Sequence, residues 1–385
     1  MKILYSHRTR AADGQLVHIT SLVKALRDRS HEVFVVGPEG AGAAERAMNA
    51  SPQGGLIKRF APKALYEAAE IGYSAHAYRR LRKVAEAASP DLIYERYNLF
   101  FGAGARLAKA AGLPFILEVN APLAAERAAH GGLALKKQAF ESETDLWRAA
   151  DAILPVTNVL AKTIEARGVQ PEKIMVIPNG VDDAFLTIGD GDSVRARYGL
   201  ENKVVLGFAG FMREWHGLER VVDWMAKAPE KSLHLFLVGD GPARSMLEER
   251  AAAAGLTSAL TVTGAVQRAQ MPDHIAAFDI ALQPAAVDYA SPLKLFEYMA
   301  QARAIVAPSQ PNIEEVLKAD EAALFDPLQS NGLEAALSRL VNAPDIWRKL
   351  GASARAALDA QDLTWASNAR RVEEIARGLQ SGLAL

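Results

Sequence analysis

Short apolar runs rich in valine, isoleucine and leucine recur along the chain, six in each half. Runs of this kind, apolar at nearly every position, are typical of strands buried on both faces of a parallel sheet. In the first half the predicted strands are 2–6, 32–37, 91–97, 114–119, 151–156 and 174–178. In the second half they are 204–210, 234–239, 260–264, 279–284, 304–309 and 322–327.

Helical periodicity fills most of the intervals between these strands. In residues 217–228, apolar side chains recur at i, i+3, i+4 and i+7, which marks one buried stripe. Residues 14–26 show the same kind of stripe, and residues 364–377 predict a final helix. Strands that alternate with helices form βαβ units with right-handed crossovers.

The length of the chain, 385 residues, suits about two domains. We therefore predict an α/β fold with two doubly wound Rossmann-like domains that face each other across a cleft. The predicted domains are 1–185 and 186–363, with the seam in the Gly- and Asp-rich stretch 182–199. Within that stretch, "DGD" (190–192) is interpreted as a turn.

Composition and charge exclude several classes of function. Lys plus Arg (44) nearly balances Asp plus Glu (45), and the net charge of −1 argues against nucleic acid as the main partner. The absence of cysteine excludes disulfides, thiolate metal sites and a cysteine nucleophile. The first apolar run is too short for an export signal, and no run reaches the roughly 18 apolar residues of a membrane span. We expect a soluble, cytoplasmic protein.

Ligands of open α/β sheets bind beyond the carboxyl ends of the strands, so the residues that follow the strands are the candidates. After the seventh predicted strand comes "AGFMREWHGLERVV", in which Arg213 and His216 precede a helix. A cation beside a helix N-terminus is a common anion site, which suggests a phosphate. The alternative is an exposed loop in which Arg213 pairs with Glu214 or Glu219.

The stretch "SPLKLFEYMA" (291–300) follows the tenth predicted strand. Ser291 is a favoured N-cap and Pro292 suits the first helical position, so a helix is predicted to begin there. Lys294 and Glu297 lie three residues apart in its first two turns. They form either an ordinary surface ion pair, worth about 0.2–0.5 kcal/mol, or a ligand site for a phosphate and a sugar hydroxyl.

Several stretches together resemble the signature of glycosyltransferase family 4, retaining enzymes of the GT-B fold that use nucleotide sugars and serve bacterial polysaccharide and glycolipid synthesis. They are "DGQLVHITSLVKALRDRSHEV", "VIPNGVDDAF", "GFMREWHGLE", "VGDGP" and "SPLKLFEYMAQARAIVAP". The resemblance covers nearly the whole chain. It implies that the first domain binds the acceptor, that the second binds the donor, and that the terminal segment 364–385 packs back on the first domain.

The resemblance also assigns roles to residues of this chain. Glu297 would bind the ribose hydroxyls of the donor, and Arg213 the diphosphate. His216 stands where the family usually has a lysine, so a neutral imidazole would be a weaker and pH-sensitive substitute. Gly14 would let the first loop approach the phosphates. The amides of Leu293 and Lys294 would bind the distal phosphate.

Two positions depart from the family pattern. The family pairs two glutamates, and the position eight residues before Glu297 holds Tyr289. Contact with the donor sugar would then fall to Asp288, Tyr289 or Ser291.

Many members also have a histidine after the fourth strand, where this chain has Asn120. Glu118 and Asn120 are therefore candidate sugar or acceptor contacts. The alternative for Glu118 is a buried carboxylate paired with Arg96 or Arg127.

The mechanism that the resemblance implies uses no protein nucleophile, no metal and no cofactor. The expected acceptor is a saccharide or a polyprenyl-linked intermediate. Basic residues within 58–86 predict either peripheral contact with the anionic inner face of the cell membrane or an ordinary solvated helix. Two other functions stay open: a sugar-nucleotide 2-epimerase of the same fold, and a non-catalytic, two-lobed sugar-binding protein.

Overall fold

The computed structural model describes residues 1–9, 14–38, 63–228, 230 and 232–382. The chain forms two compact units, Met1–Pro178 with Ala366–Leu385, and Asn179–Trp365. Each unit is built around one sheet whose strands all pair in parallel. The predicted α/β fold with two Rossmann-like domains is confirmed. No helix in the described ranges is long and apolar enough to cross a membrane.

The first unit has a five-stranded sheet in the order β2-β1-β3-β4-β5. Its strands are β1 Lys2–Ser6, β2 Glu32–Val36, β3 Leu92–Arg96, β4 Phe115–Val119 and β5 Ala152–Pro155. Its helices, numbered along the described chain, are α1 Gly14–Asp28, α2 Lys63–Ala88, α3 Ala103–Ala111, α4 Leu123–Ala129, α5 Lys136–Ala149, α6 Asn158–Glu165 and the last helix, α15 Trp365–Ser381.

The second unit has a six-stranded sheet in the order β11-β10-β9-β6-β7-β8. Its strands are β6 Val204–Ala209, β7 Leu233–Val238, β8 Leu260–Val262, β9 Ile280–Leu282, β10 Ala304–Pro308 and β11 Ala323–Phe325. Its helices are α7 Gly191–Tyr198, α8 Leu218–Met225, α9 Arg244–Ala253, α10 Met271–Ala276, α11 Leu293–Ala300, α12 Pro311–Glu314, α13 Gly332–Val341 and α14 Pro344–Ala360.

Apolar burial explains why the strands and helices lie where the pattern predicts them. Every residue of β4 and of β7 is buried, as expected for central strands covered on both faces. In α8, the side chains of Leu218, Val221 and Val222 are no more than 1% exposed. The predicted stripe of that helix therefore packs into the core of the second unit.

The predicted sixth strand of the first half, 174–178, is not a strand of the sheet. Ile174 forms one isolated bridge to Ile153, and the N–H of Ile177 donates to the carbonyl of Pro155 over 3.0 Å. The segment thus lies extended along β5. The next N–H in this alternation, that of Asn179, donates to the hydroxyl of Ser291 over 3.2 Å, so the pairing along β5 ends there.

The passage from the first unit to the second comes after Pro178, earlier than the sequence predicted. Val181 and Phe185 are completely buried in the core of the second unit, which draws residues 179–185 into it. The stretch 182–199 is therefore no linker. The predicted turn at its centre is the start of α7, where the Asp190 carboxylate accepts from the N–H of Ser193 over 3.1 Å.

The last helix, α15, belongs to the first unit except for its first residue. Ala369, Val372 and Ala376 are at most 1% exposed along one side of it. On the same helix, Glu373 forms an ion pair with Arg29 over 2.5 Å. A segment more than three hundred residues from the N-terminus thus completes the first domain.

Candidate donor site in the second unit and polar cluster in the first

The loop that follows β6 packs backbone to backbone against the loop that follows β7. Gly239 has a φ of +137°, and a Cβ atom there would lie 2.2 Å from the carbonyl oxygen of Gly210. A Cβ atom at Gly241 would lie 2.2 Å from the carbonyl oxygen of Met212. The N–H of Met212 donates to the carbonyl of Asp240 over 2.8 Å. Only glycines allow this approach, and it fixes the backbone that leads to the candidate cations.

His216 ends the short 3-10 turn Glu214–His216, which leads into α8. Its side chain is buried, and Nδ1 accepts a hydrogen bond from the N–H of Arg213 over 3.0 Å. Because Nδ1 accepts, the neutral ring carries its hydrogen on Nε2. Burial, then the charges of Lys294 and Arg213, lowers the pKa of His216 to about 2. A neutral ring at this position acts as a hydrogen-bond donor and not as a cation.

Lys294 lies in the first turn of α11 and reaches the loop after β6. Its Nζ atom is 4.7 Å from the centroid of the Phe208 ring, and a Cβ atom at Gly210 would lie 3.8 Å from its Cε. Burial lowers the pKa of Lys294 to about 8, and the carboxylate of Glu297 offsets only part of that effect. The side chain is half-buried against the Phe208 ring, and a bound anion would stabilise its ammonium.

Three sources of positive potential meet at this loop. The charges of Lys294 and Arg213 both act on the His216 ring, so the two cations approach it from different elements. The Arg213 guanidinium carbon lies 5.0 Å from the centroid of the exposed Phe211 ring. The first amides of α11, including that of Leu293, add the positive end of the helix dipole. This arrangement fits a phosphate or diphosphate.

The helix that carries Lys294 begins one residue later than predicted, at Leu293, with Pro292 at the N-cap. Ser291 is not the cap. Its hydroxyl accepts from the N–H of Asn179 over 3.2 Å, and its carbonyl accepts from the Asn179 side chain over 2.6 Å. The serine thus ties the start of α11 to Asn179 and does not accept from the first N–H groups of the helix.

Glu297 is 6% exposed and forms its ion pair with Arg268, which lies in the loop after β8 and not on the helix of Lys294. The guanidinium also binds Asp182, with Nη2 at 2.6 Å and Nε at 3.1 Å from Oδ2. Its central carbon lies 4.3 Å from the centroid of the Phe185 ring. The simple pair of Lys294 with Glu297 is therefore not the arrangement found.

None of the motifs above includes Arg268, although its position carries one signal. The residue lies in the loop after β8, at the carboxyl edge where the other candidates were sought. Its partners come from two distant segments, and nothing in the periodicity of the chain joins them.

Asp288 and Tyr289 lie in the loop between β9 and α11, the former exposed and the latter half-buried. The side chain of Asn312 donates to the carbonyls of Val287 and Ala290 over 3.0 and 2.8 Å. These bonds hold the backbone of the loop on both sides of the two candidates. No local pattern in the sequence marks Asn312.

The candidates Glu118 and Asn120 lie in the first unit, at and just beyond the carboxyl end of β4. Glu118 pairs with Arg96, which is one of the two predicted alternatives, and also accepts from Tyr94 over 2.8 Å and from Asn120 over 2.6 Å. His18 lies 2.9 Å away. Burial alone would raise the pKa of Glu118, but His18 and Arg96 outweigh it and hold that pKa far below its ordinary value. Glu118 is thus a carboxylate with its oxygens already occupied.

Two further predicted residues have different surroundings. Arg127, the other predicted partner of Glu118, pairs with Glu70 over 2.8 Å. Gly14 opens α1 in the first unit. The structure thus brings Arg213, His216, Lys294 and Glu297 together in the second unit and places Gly14 and Glu118 in the first.

Comparison with known families agrees with this architecture. The family model described as Glycosyltransferase Family 4 matches residues 12–185, and the model described as Glycosyl transferases group 1 matches residues 203–343. The first match covers the first unit from α1 onward, without β1, and the second covers most of the second unit. The chain belongs to the family 4 glycosyltransferases, as its motifs predicted.

Curated relatives are similar over part of their length. The 2-deoxystreptamine glucosyltransferase of Streptomyces kanamyceticus is 27% identical over 191 residues, which are 47% of this chain and 49% of that protein. The D-inositol 3-phosphate glycosyltransferase of Stackebrandtia nassauensis is 28% identical over 279 residues, 66% of this chain and 62% of that protein. The chain thus matches about half to three fifths of these relatives.

Solved structures share the fold over nearly the whole chain. HepE of Anabaena, crystallised in complex with UDP, has a TM-score of 0.77 at 18% identity and covers 98% of this chain and 100% of its own. WaaG, a glycosyltransferase involved in lipopolysaccharide biosynthesis, has a TM-score of 0.71 at 17% identity, with 98% and 100% covered. At these identities the likeness shows the GT-B fold alone.

Proposed function

We propose that this protein is a retaining glycosyltransferase that moves a sugar from a nucleotide diphosphate sugar to a hydroxyl acceptor. One observation carries the proposal. Lys294, Arg213 and the first amides of α11 converge on one loop of the second unit, and Lys294 has the face of Phe208 beneath it where most lysines have water. A diphosphate supplies the charge that this arrangement requires.

The chemistry follows from that charge. When the bond between the anomeric carbon and the diphosphate breaks, negative charge grows on the departing phosphate oxygen. Lys294 and Arg213 stabilise this charge, and the Nε2 hydrogen of His216 provides a neutral donor on the same loop. The acceptor oxygen bonds to the anomeric carbon from the face that the diphosphate leaves, and its proton passes to the departing diphosphate.

Glu297 is proposed to accept hydrogen bonds from the ribose hydroxyls of the donor. Arg268 holds Oε1 of this nearly buried carboxylate, so its other oxygen is oriented. Carboxylates bind vicinal hydroxyls through charge-assisted hydrogen bonds. Asp288, Tyr289 and Ser291 remain the proposed contacts of the donor sugar.

The nucleotide is proposed to be UDP, because HepE was crystallised with UDP and with UDP-glucose. Calorimetric titration of UDP, GDP and ADP into the protein tests this choice. A ligand present at about 100 times its dissociation constant should stabilise the protein by about 2.7 kcal/mol. Binding of GDP or ADP in preference to UDP would correct the base, and binding of none would refute the donor site.

The stereochemical part of the proposal is tested on the first product. Proton NMR of the earliest glycoside should show the anomeric configuration of the donor. Inverted configuration would refute the retaining mechanism. The relatives described above carry transferase names, so the epimerase alternative is not proposed; incubation with donor alone should yield no altered sugar nucleotide.

The reaction is proposed to need no metal ion, since Lys294, Arg213 and the helix amides already supply positive charge to the diphosphate. Treatment with EDTA should leave the transfer rate essentially unchanged. Loss of activity that Mg²⁺ or Mn²⁺ restores would show that a metal takes part.

The acceptor is proposed to be a saccharide or a polyprenyl-linked intermediate, with Asn120 among its contacts at the carboxyl edge of the first sheet. Contact with an anionic membrane is proposed through α2, where Leu65 is 63% exposed and Ile71 is 45% exposed. Arg79 and Lys83 are exposed further along the same helix. Residues 58–62 of the predicted basic segment lie outside the described residues.

Vesicle sedimentation tests this contact. Ile71→Glu and Arg79→Glu should each reduce binding to vesicles that contain phosphatidylglycerol. Leu328→Glu changes a residue that is 93% exposed in the second unit and serves as the control. Equal binding of all three variants would refute the contact.

A further inference from the structure

Arg268 joins two carboxylates that belong to different parts of the second unit. Its Nη1 atom binds Oε1 of Glu297, and its Nη2 and Nε atoms bind Oδ2 of Asp182. We propose that Arg268 is a positioning residue which holds Glu297 away from Lys294 and so keeps the lysine available for the diphosphate. This inference rests on the proposed donor site.

The spacing within α11 shows why such a device is needed. Lys294 and Glu297 are three residues apart on one helix, a spacing at which opposite charges attract each other. If they formed an ion pair, the carboxylate would neutralise the cation that the leaving diphosphate needs. In the structure the carboxylate is bound by Arg268, and the lysine ammonium lies over the ring of Phe208.

The chemistry of arginine suits this task better than that of lysine. A guanidinium presents a planar set of donors, which lets one side chain bind two carboxylates at once. Asp182 anchors the Nε and Nη2 side, and the Phe185 ring supports the planar face at 4.3 Å. Asp182 and Phe185 therefore fix the position of the Arg268 guanidinium independently of Glu297.

The arrangement predicts how diphosphate binding depends on pH. The charged or titratable groups that act on Lys294 or lie beside it are Glu297 on its own helix and Arg213 and His216 on the loop after β6. With the pKa of Lys294 at about 8, diphosphate affinity should fall as the pH rises through that value. Without Arg268, Glu297 is free to approach Lys294 and raises the pKa of the lysine further.

The test compares Arg268→Met with wild type in calorimetric titrations of UDP, GDP and ADP between about pH 6.5 and 10. At neutral pH the variant should bind the preferred nucleotide about tenfold more weakly, because an ion pair must be broken first. The pH at which its affinity falls should move upward. Arg268→Lys, which keeps a charge but serves one carboxylate, should recover part of the affinity.

Arg250→Met is the matched control, since Arg250 forms a two-point ion pair with Asp223 in the same unit, with distances of 2.5 and 2.6 Å. It should leave affinity and pH profile unchanged. If Arg268→Met binds nucleotide with the wild-type affinity and pH profile, the inference is wrong and the donor site stands. Arg268→Met could also lose affinity without an upward shift of the pH profile, with no recovery in Arg268→Lys. That result would show a purely structural role for Arg268 and would also overturn the inference. If wild type binds no nucleotide, the proposed function itself fails.

Discussion

Lys294 keeps its charge in surroundings that most lysines avoid. Its pKa falls from an ordinary value of 10.5 to about 8, chiefly because burial penalises the ammonium. The folded state therefore binds fewer protons than the unfolded state between those two values, and stability should rise as the pH increases from 8 to 10.5. Below pH 8 the full cost is present.

Lys294→Met should separate stability from function. The apolar side chain removes the desolvation cost, so the melting temperature of the free protein at pH 7 should rise, by an amount that corresponds to about 1–2 kcal/mol. The turnover rate should fall about 10²–10³-fold, because a donor to the leaving phosphate is lost. Differential scanning calorimetry and a transfer assay measure the two effects. A variant that is less stable and fully active would contradict both expectations.

Glu297→Gln should weaken nucleotide binding by about 1.5–3 kcal/mol, or roughly 10–150-fold, since the charge-assisted bonds to the ribose are lost. The ion pair with Arg268 is lost as well, so some loss of stability should accompany it. Asp182→Asn breaks the other half of the same bridge and controls for that loss. Affinity unchanged in Glu297→Gln, measured by calorimetry, would remove this residue from the donor site.

Glu95, in the first unit, is a buried carboxylate whose pKa is shifted. Burial raises its pKa to about 8, against weaker opposing hydrogen bonds from Ser6 and Gly104. Because the folded-state value lies above the unfolded one, the group favours folding below pH 4.5 and loses that effect as the pH rises to 8.

Glu95→Gln should therefore be more stable than wild type at pH 9, by about 1 kcal/mol, and should lose this advantage at pH 4. Urea unfolding at both pH values measures the difference. Glu86→Gln, which changes an exposed carboxylate of α2, should show no such pH dependence. Equal shifts in both variants would mean that the pKa of Glu95 is not raised in the folded protein.

At the scale of elements, the loops after β6 and β7 depend on glycine at their point of contact. Gly239→Ala should destabilise the protein by about 2 kcal/mol or more, because the new Cβ meets the carbonyl of Gly210 and the φ of +137° is strained. Gly199→Ala has a φ of +66° and open space around it, so it should cost only about 1 kcal/mol.

Urea midpoints give the stability of both glycine variants, and titration of UDP, GDP and ADP gives their nucleotide affinity. Only Gly239→Ala should lose affinity, since its loop supports the segment that carries Arg213 and His216. Equal effects of the two substitutions on affinity would show that the contact between the loops does not shape the site.

At the scale of the whole molecule, the last helix connects the end of the chain to its beginning. Ala369→Asp places a charge at a fully buried position of α15 and should cost about 3–5 kcal/mol of stability. Ala366→Asp changes the same residue type one turn earlier, where the side chain is exposed, and should cost little. Thermal unfolding followed by circular dichroism distinguishes the two, and equal melting temperatures would contradict the packing described for α15.

Local sequence patterns predict much of the fold. Eleven of the twelve predicted strands are present with shifts of a residue or two at their ends. Strands buried on both faces are apolar at nearly every position, so the local sequence is enough to identify them. The exception, 174–178, is equally apolar and lies extended along β5, and only its pairing shows that it is not a strand of the sheet. Local pattern does not show where a domain ends either, as Val181 and Phe185 demonstrate.

The sequence by itself determined the family, the two parallel sheets and the presence of Arg213, His216, Lys294 and Glu297 after particular strands. Its spacing rules apply to neighbours along the chain, so the only ion-pair partner that they offered Glu297 was Lys294, as one of two alternatives. Only the tertiary structure brought Arg268 between Glu297 and Asp182, and Asn179 onto Ser291. Those bonds join residues up to 112 positions apart, where charge and geometry decide the partner and periodicity carries no information.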